Sequence, residues 1–527
     1  MEKKLKLNVK NTILVGLAFS SIGIFWTSYD FIMPLMLNRT FGLPDSIRGL
    51  IMGLDNILAL ILLPIFGAIS DRVNTKWGKR TPFIVIGTLV AIILMLALPL
   101  TEGIQLKKAE QTAATITNQQ LWEYAPRATH AHLVEIGGYD IDVDTLSEAD
   151  KEVLEADFLA ISKTVVAEDG KEIENEDYVA AVQPALRNYI YQEITVKHPT
   201  VLIVFVLVLF LLLVTFATYR SPAVALMPDV TPEPLRSPAN SIINLMGGIG
   251  GGLAMIGYTV LLSTLLKGYY KSYTLIFLYI VVLMALLVSI FLATVREKKL
   301  VKECHEICLQ YGIDTESIKA EKVKVGFRDM PKNKLRNFLL ILVGIFMCTM
   351  STNAIVSSLS VYAVDELRFD PGTASIITMV GYVLSALAFI PVGFLSTKLG
   401  RKKTVLLGFA VTIASLLLGY VLTVKTRMLF ILMYVVQNFG GVFIGVNTLP
   451  MVLESGDTRT IGKFTGLYYT ATMSASSITP FISGLFMEQH GRRIMFIYSI
   501  VCMLVAIVLF AFVKSKDQTY IANVPAD

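Results

Sequence analysis

The sequence contains little charge and little cysteine. Only 17% of its 527 residues are charged, whereas soluble domains contain about 25%. Hydrophobic residues make up 54% of the chain, and its mean hydropathy is +0.63. These values exclude an ordinary soluble domain and predict a membrane protein with several spans. The four cysteines lie outside the acidic segment 101–200, so no disulfide framework is expected there.

Motifs for nucleotide chemistry and for catalysis are also missing. The segment from Gly456 to Lys463 imitates a phosphate-binding loop, but its spacing is one residue too long. Phe464 also replaces the Ser or Thr that such a loop needs. No pairing of a nucleophile with a base suggests an active site. We therefore expect neither an ATP-driven pump nor an enzyme.

Two clusters imitate metal sites incompletely. Asp140, Asp142 and Asp144 resemble the start of a calcium loop, but Thr145 stands where that loop needs glycine. The two cysteines that flank His305 provide fewer ligands than a metal site requires. We predict no bound metal and no cofactor.

Long apolar runs dominate the rest of the chain. A bilayer core needs about 20 apolar residues per helix, and twelve runs meet that length. The sequence thus predicts an all-α membrane protein with twelve transmembrane helices. The runs are 12–36, 47–69, 82–100, 201–227, 239–265, 274–294, 337–362, 373–396, 404–424, 428–450, 464–487 and 492–514.

The distribution of Lys and Arg predicts the orientation of these helices. Basic residues concentrate in the N-terminus and in segments 72–80, 295–336 and 398–403, all of which share one side. Because Lys and Arg mark cytoplasmic loops, we expect both termini in the cytoplasm of a multi-pass protein of the cell membrane. Arg492 and Arg493, between predicted helices 11 and 12, are the exception.

An acidic insertion separates predicted helices 3 and 4. Residues 101–200 contain 19 Asp and Glu against 8 Lys and Arg, a net charge of −11. The insertion is expected outside the cell. Residues from Ser147 to Val165 favour a helix, and Thr164 to Ile173 favour a hairpin with an Asp-Gly turn.

These features predict six consecutive regions. They are the N-terminal bundle helices 1–3 (1–100), the external insertion (101–200), helices 4–6 (201–294), a cytoplasmic linker (295–336), the C-terminal bundle helices 7–12 (337–514) and a cytoplasmic tail (515–527).

A short basic loop occurs once in each half. Gly67-Ala-Ile-Ser-Asp-Arg72 leads to Gly78-Lys-Arg80, and Gly393-Phe-Leu-Ser-Thr-Lys398 leads to Gly400-Arg-Lys-Lys403. Six helices, a linker and six more helices with a repeated loop are typical of an internally repeated transporter, which binds its solute near the membrane midplane.

Three charged residues fall well inside the predicted spans, several residues from either end. Charge in the hydrocarbon costs several kcal/mol, so each is a functional candidate. Asp30 on helix 1 and Asp55 on helix 2 lie roughly 9 Å and 12 Å from the outer ends of their helices. They form a candidate site for a proton or Na⁺. Arg220 on helix 4 is a candidate for binding hydroxyl groups. The alternatives are local capping for the two acids and an interfacial position for Arg220.

No histidine lies in a predicted span, so a carboxylate would have to carry any transported proton. Aromatic rings stack on sugar faces and amides bond hydroxyls. For each such residue alone, ordinary helix packing is the commoner role. The candidate solute-binding residues besides Arg220 are Trp26, Tyr29, Asn56, Asn244, Asn353, Tyr382, Asn438 and Tyr468.

The first basic loop, with its five-residue spacer and the following Pro82, resembles that of the major facilitator superfamily. Within this superfamily it is similar to the glycoside–pentoside–hexuronide:cation symporters and the sucrose:proton symporters. The segment from Arg220 to Asp229 also resembles sucrose-type transporters. The resemblance covers all twelve helices and implies two pseudo-symmetric six-helix bundles. The insertion departs from the family pattern.

The resemblance implies cation-coupled symport of a sugar or glycoside, with H⁺ or Na⁺ as the coupling ion. Asp30 and Asp55 would then couple the ion, and Arg220 would bind the sugar. The alternatives are a transporter of an amphipathic solute, such as a drug or lipid-like molecule, and a non-transporting receptor with this fold. The expected partners are a small-molecule solute and the lipid bilayer, without nucleic acid, for a monomeric protein.

The resemblance also implies a conformational latch at the cytoplasmic end. Arg72 is expected to pair with acids at the end of helix 4 when that end closes, and helix capping is the alternative. The candidate gate residues are Asp71, Arg72, Asp229, Glu233, Lys398, Arg401 and Glu454.

Overall fold

A computed structural model describes residues 5–166, 172–266, 270–311, 313, 332–454 and 461–514. Twelve long helices dominate these segments. They are α1 (Val9–Arg39), α2 (Asp45–Arg72), α3 (Thr81–Thr115), α4 (Thr200–Asp229), α5 (Arg236–Thr264), α6 (Thr274–Thr294), α7 (Lys332–Val356), α8 (Pro371–Leu399), α9 (Arg401–Val421), α10 (Leu429–Glu454), α11 (Ile461–His490) and α12 (Ile494–Ala511).

Eleven of these helices are long and apolar enough to cross a membrane. The twelfth predicted span corresponds to α11, which has 30 residues but is rich in Ser, Thr and Tyr. Its polarity has a structural cause, because α11 packs along α2 between the two halves of the molecule. The prediction of an all-α membrane fold is confirmed.

The helix contacts repeat between the halves. In the N-half (α1–α6), α1 packs on α5, α2 on α4 and α3 on both α4 and α6; in the C-half (α7–α12), α7 packs on α11, α8 on α10 and α9 on both α10 and α12. The two principal contacts between halves, α2 with α11 and α5 with α8, are also related by this repeat. The fold is therefore two pseudo-symmetric six-helix bundles.

Small residues allow the close approach of α2 and α11. A Cβ atom on Gly49 would lie 2.0 Å from the carbonyl oxygen of Pro480, and one on Gly53 would lie 2.3 Å from that of Ser477. Neither distance is possible for a side chain, so glycine sets the separation of these helices. Such small-residue contacts are a general device of membrane helices.

The insertion contains short helices and a hairpin. Its elements are helices Asn118–Leu121, Arg127–Gly137, Glu148–Ala160 and Gln183–Tyr189, a 3₁₀ turn Trp122–Tyr124, π-helical turns Tyr178–Val182 and Ile190–Val196, and antiparallel strands β1 (Thr164–Val166) and β2 (Glu172–Glu174). The predicted hairpin is present, although its Asp-Gly turn lies outside the described residues. The helix predicted over 147–165 is observed as Glu148–Ala160 and ends before strand β1. α3 runs to Thr115, well past the predicted end of its span at residue 100.

The linker begins with a helix, Glu297–Gln310. Most of the remaining predicted linker and the predicted tail from residue 515 lie outside the described residues. We call the end of the molecule that carries the linker helix the terminal end. The opposite end, which carries residues 101–200, is the insertion end.

Candidate functional site

Asp30 lies between the two halves. Its side chain is exposed although its neighbours on α1, Tyr29 and Phe31, are buried, so it faces an opening between helices. Asp30 is close enough to interact electrostatically with Asp55 of α2, with Tyr258 of α5 and with Tyr434 of α10. Tyr434 belongs to the C-half, so groups from both halves surround this carboxylate.

Asp55 connects Asp30 to Arg220. The amide of Asn56 donates a hydrogen bond to Asp55 Oδ1 at 2.7 Å. The guanidinium of Arg220 is an electrostatic neighbour of Asp55 and of Tyr469 on α11. Arg220 Cζ also lies 5.4 Å from the ring centroid of Trp26, which is cation–π distance. Two acids and one arginine therefore form a single central group.

Aromatic residues surround the central group. Trp26 and Tyr29 pack edge to face, with ring centroids 5.6 Å apart. The Tyr29 hydroxyl lies 3.4 Å from the carbonyl oxygen of Met52. The buried indole Nε1 of Trp26 and the hydroxyl of Tyr258 have no hydrogen-bond partner among the described residues. Unpaired donors beside charged groups are a suitable environment for a polar solute.

Two predicted solute-binding amides form hydrogen bonds within the C-half instead. The Asn353 amide donates to Ser476 Oγ at 2.8 Å. The Asn438 amide donates to the carbonyl of Tyr434, one turn earlier on α10, at 2.8 Å. These bonds show the alternative role, helix packing, for both amides.

The remaining predicted residues lie in different positions. The Tyr468 hydroxyl is 3.3 Å from Thr448 Oγ1, also inside the C-half. The Tyr382 hydroxyl points at the glycine face of α5, where a Cβ on Gly251 would lie 3.5 Å from it. Asn244 is exposed on α5. Of the predicted set, Trp26, Tyr29 and Asn56 therefore lie beside the central group.

Sequence reasoning missed Tyr258 and Tyr434 as neighbours of Asp30. Both are single tyrosines in apolar runs, which gives no signal of their own. Tyr434 stands four residues before Asn438, which the sequence did single out, so the two share a helix face.

At the terminal end, the loop between α2 and α3 carries an ion-pair network. Arg80 Nε donates to Asp229 Oδ2 at 2.8 Å, and Arg80 Nη2 donates to Asp71. Burial would lower the pKa of Arg80, but the hydrogen bonds and charges of Asp229 and Asp71 raise it above its ordinary value. Arg80 therefore takes the place at Asp229 that the sequence prediction gave to Arg72, whose side chain is exposed.

Glu297 secures the same loop. Its buried carboxylate accepts hydrogen bonds from the backbone N–H groups of Lys79, Arg80 and Thr81, at 2.6 Å to 3.1 Å, and from the Thr81 hydroxyl. An anion at a helix N-terminus is favourable, because the first N–H groups lack partners within the helix. The linker helix is thereby fixed to the start of α3.

Among the described side chains, no other predicted gate residue pairs with Arg80. Glu233, Lys398 and Arg401 are exposed. The side chain of Glu454 lies outside the described residues. In the second basic loop, Lys402 donates to the carbonyl oxygens of Ala511 and Val513 at the end of α12.

At the insertion end, a second network joins the two halves. Asp365, which follows α7, pairs with Arg39 of α1 at 3.1 Å and with Arg492 at 3.2 Å. Arg492 also pairs with Asp45 of α2 at 3.2 Å, and Asp45 pairs with Arg48 at 2.7 Å. Burial would lower the pKa of Arg492, but Asp45 and Asp365 raise it above its ordinary value. The insertion end is therefore closed.

Two family models match the chain, one in each half. Residues 14–124 match the model described as MFS/sugar transport protein, and residues 341–526 match the model described as Major Facilitator Superfamily. The chain belongs to the major facilitator superfamily. Membership in a transporter superfamily agrees with the prediction that the chain is not an enzyme.

Curated relatives match short segments of the chain. Proton-associated sugar transporter A of Homo sapiens is 36% identical over 87 residues, which are 16% of this chain and 11% of that protein. Lactose permease of Lactobacillus helveticus is 44% identical over 57 residues, or 10% of this chain and 9% of that protein. The putative glycoside/cation symporter YagG of Escherichia coli is 27% identical over 84 residues, or 16% and 18%. These matches support the sugar-transporter branch that the first basic loop indicates.

Solved structures show the same fold over nearly the whole chain. A bacterial homolog of the human lysosomal transporter Spinster aligns with a TM-score of 0.55 and 12% identity, covering 96% of this chain and 97% of that one. The xylose transporter XylE from E. coli aligns with a TM-score of 0.54 and 13% identity, covering 97% and 98%. The prediction of an all-α membrane protein with the major facilitator fold is confirmed.

Proposed function

We propose that this protein is a secondary active transporter that couples the movement of a sugar or glycoside to H⁺ or Na⁺. The observation that carries the proposal is the central group of Asp30, Asp55 and Arg220, which lies where the two halves meet. Carboxylates bind protons or Na⁺, and a guanidinium and aromatic rings bind sugar hydroxyls and sugar faces. The names of the curated relatives support the same solute class.

The mechanism follows from the repeated halves. Rocking of one half against the other exposes the central group to each side of the membrane in turn. Two carboxylates at similar depth favour binding of one cation, and their neutralisation changes the charge that Arg220 experiences. Ion binding and sugar binding are thereby coupled through Asp55, which interacts with both Asp30 and Arg220.

The orientation proposed from the basic loops places the terminal end in the cytoplasm and the insertion outside the cell. In this orientation the Arg80 network and Glu297 lie at the cytoplasmic end. Because Arg80, Asp71 and Asp229 all belong to the N-half, we propose that they rigidify that half, and that the cytoplasmic opening forms beside them.

Uptake by purified protein in proteoliposomes tests the proposal. Labelled lactose is supplied with an inward H⁺ gradient, with an inward Na⁺ gradient or with neither. We expect one gradient to drive accumulation, and Asp30→Asn and Asp55→Asn each to reduce it by about tenfold or more, since each removes a charge used in coupling. Lactose counterflow, which needs no gradient, should persist in both variants.

Asp140→Asn is the matched control, because Asp140 is exposed in the insertion. It should accumulate lactose as the unmodified protein does. Gradient-driven accumulation at the unmodified level in both Asp30→Asn and Asp55→Asn would contradict their coupling role. Stimulation by neither gradient, across a panel of mono- and disaccharides, would contradict sugar symport itself.

A further inference from the structure

The insertion is a packed body with its own hydrophobic core. Side chains from six of its helical segments form one buried cluster, among them Leu121, Leu133, Leu154, Phe158 and Ile190. A segment with such a core keeps a fixed shape, so the contacts on its surface have defined positions.

Hydrogen bonds and close packing fix the insertion to the N-half. Thr195 Oγ1 donates to the carbonyl of Phe41, which follows α1, at 2.8 Å, and Gln105 of α3 donates to Thr195 Oγ1 at 3.0 Å. Gly42, with a φ of 67°, leaves so little space that a Cβ atom there would lie 2.4 Å from the carbonyl oxygen of Arg187. The insertion therefore moves with α1 and α3.

The insertion also reaches across to the C-half. Arg187 Nη1 pairs with Asp365 Oδ2, and both side chains are largely buried. Glu176 Oε2 pairs with Arg368 Nη1 at 2.9 Å. Asp365 and Arg368 lie between α7 and α8, so both ion pairs join the insertion to the opposite half.

Breaking the buried pair is costly. Asp365 is 10% exposed and accepts charge-assisted bonds from Arg187 and from Arg39 and Arg492. A buried charge that loses a partner is strongly destabilised. Separation of the halves at this end requires the insertion to release Asp365 and Arg368 together.

We propose that the insertion is a clamp that holds the two halves closed at its end of the molecule, with Arg187 and Glu176 as its cross-half contacts. The proposal rests on the alternating access proposed above. The clamp biases the equilibrium between the two conformations toward closure at the insertion end, because its ion pairs exist in the closed conformation and are lost on opening.

Distance measurements between the halves test the clamp. Spin labels are placed at His198→Cys, immediately before α4, and at Lys425→Cys, between α9 and α10 of the C-half, after Ser replaces the four native cysteines. Both positions are exposed at this end. Pulsed electron–electron double resonance on the full chain in nanodiscs then measures the populations of short and long distances between the two labels. We expect Arg187→Ala to raise the long-distance population about threefold or more, since a partly buried pair is lost.

Two further variants make the result decisive. Glu176→Ala removes an exposed side chain without disturbing the core, and should raise the long-distance population about twofold, as expected for one exposed ion pair. Arg127→Ala is the matched control, because Arg127 pairs with Asp144 inside the insertion and should leave the populations unchanged. If Arg187→Ala lowers protein yield, Glu176→Ala decides alone.

Unchanged distances in both Arg187→Ala and Glu176→Ala would overturn the clamp. Lactose uptake by the same variants separates this outcome from failure of the proposed function. If uptake persists and the distances between the labels are unchanged, the clamp proposal fails and the proposed function stands. A shift to long distances in a protein that transports no sugar keeps the clamp and removes the proposed solute.

Discussion

Arg80 holds two carboxylates of unequal environment. The side chain of Arg80 is 7% exposed, that of Asp229 is 33% exposed and that of Asp71 is 64% exposed. An ion pair in water contributes little, because solvent screens it and two side chains lose freedom, whereas partial burial strengthens the pair. The Asp229 interaction is therefore the stronger of the two.

Asp229→Asn is expected to destabilise the protein by about 1–3 kcal/mol, since it leaves a buried guanidinium with one fewer partner. Asp71→Asn should cost less than about 1 kcal/mol. Thermal unfolding in detergent, followed by intrinsic fluorescence, measures the difference. Glu233→Gln, at an exposed acid nearby, is the control. Equal losses from Asp71→Asn and Asp229→Asn would contradict this assignment.

The sequence singled out this loop and assigned Asp229 to Arg72, whereas in this structure Arg80 pairs with Asp229. Arg72 and Arg80 belong to the same basic loop of the sequence, and only Arg72 was predicted as a gate residue. The loop folds back through paired backbone hydrogen bonds between Thr75 and Gly78, which brings Arg80 to the end of α2. Glu297, more than 200 residues later, stabilises this geometry, and no local pattern predicts it.

Helix α5 shows how neighbouring glycines differ in purpose. A Cβ atom on Gly250 would lie 2.2 Å from the carbonyl oxygen of Ser20 on α1, whereas one on Gly252 would meet nothing within 4 Å. Gly250 is therefore required for the contact between α1 and α5. Gly252 has no such requirement, and as glycine it only weakens the helix.

Gly250→Ala should destabilise the protein by about 1–3 kcal/mol, because the helices must separate to accommodate the methyl group. Gly252→Ala should be neutral or stabilising by up to about 1 kcal/mol, since alanine is the better helix former. Each variant adds one methyl group to α5. Comparing their melting temperatures therefore separates the loss of the contact between α1 and α5 from the gain in helix propensity. A similar loss in both would show that α1 and α5 do not depend on Gly250.

The ends of a helix could be predicted only where the apolar run and the helix end at the same residue. α6 was predicted at 274–294 and is observed at Thr274–Thr294. α3 continues to Thr115 because residues 101–115 are rich in good helix formers such as Ala, Gln, Glu and Lys, although they are too polar for hydrocarbon. Hydropathy marks the membrane boundary, and a helix is free to continue past it.

At the scale of the whole molecule, the central group could be predicted in part. Asp30, Asp55 and Arg220 were found because charge in an apolar run is conspicuous. Tyr258 and Tyr434 come close to Asp30 through the packing of α1, α5 and α10, which one sequence does not reveal. For the same reason Asn353 was assigned to solute, although a hydrogen bond to Ser476 occupies it.

The position of Arg492, one of the two arginines that disagree with the proposed orientation, has a physical explanation. Arg492 is 9% exposed and is paired with Asp45 and Asp365, so its charge is compensated inside the fold. The positive-inside rule concerns uncompensated Lys and Arg in short loops. Arg493 is then the exposed positive charge of this loop, whereas the loops at the terminal end carry many basic residues.

The orientation can be tested with single cysteines in intact cells. In a background with Ser at all native cysteines, Lys163→Cys in the insertion and Arg493→Cys should react with a membrane-impermeant maleimide. Lys298→Cys on the linker helix should react only after permeabilisation. All three positions are exposed, so access to the reagent is set by the membrane and not by burial. Labelling of Lys298→Cys alone in intact cells would reverse the orientation and place the clamp in the cytoplasm. If Lys163→Cys were labelled and Arg493→Cys were not, the insertion and the loop between α11 and α12 would lie on opposite sides of the membrane. That result would contradict the cross-half network, which needs both on the same side.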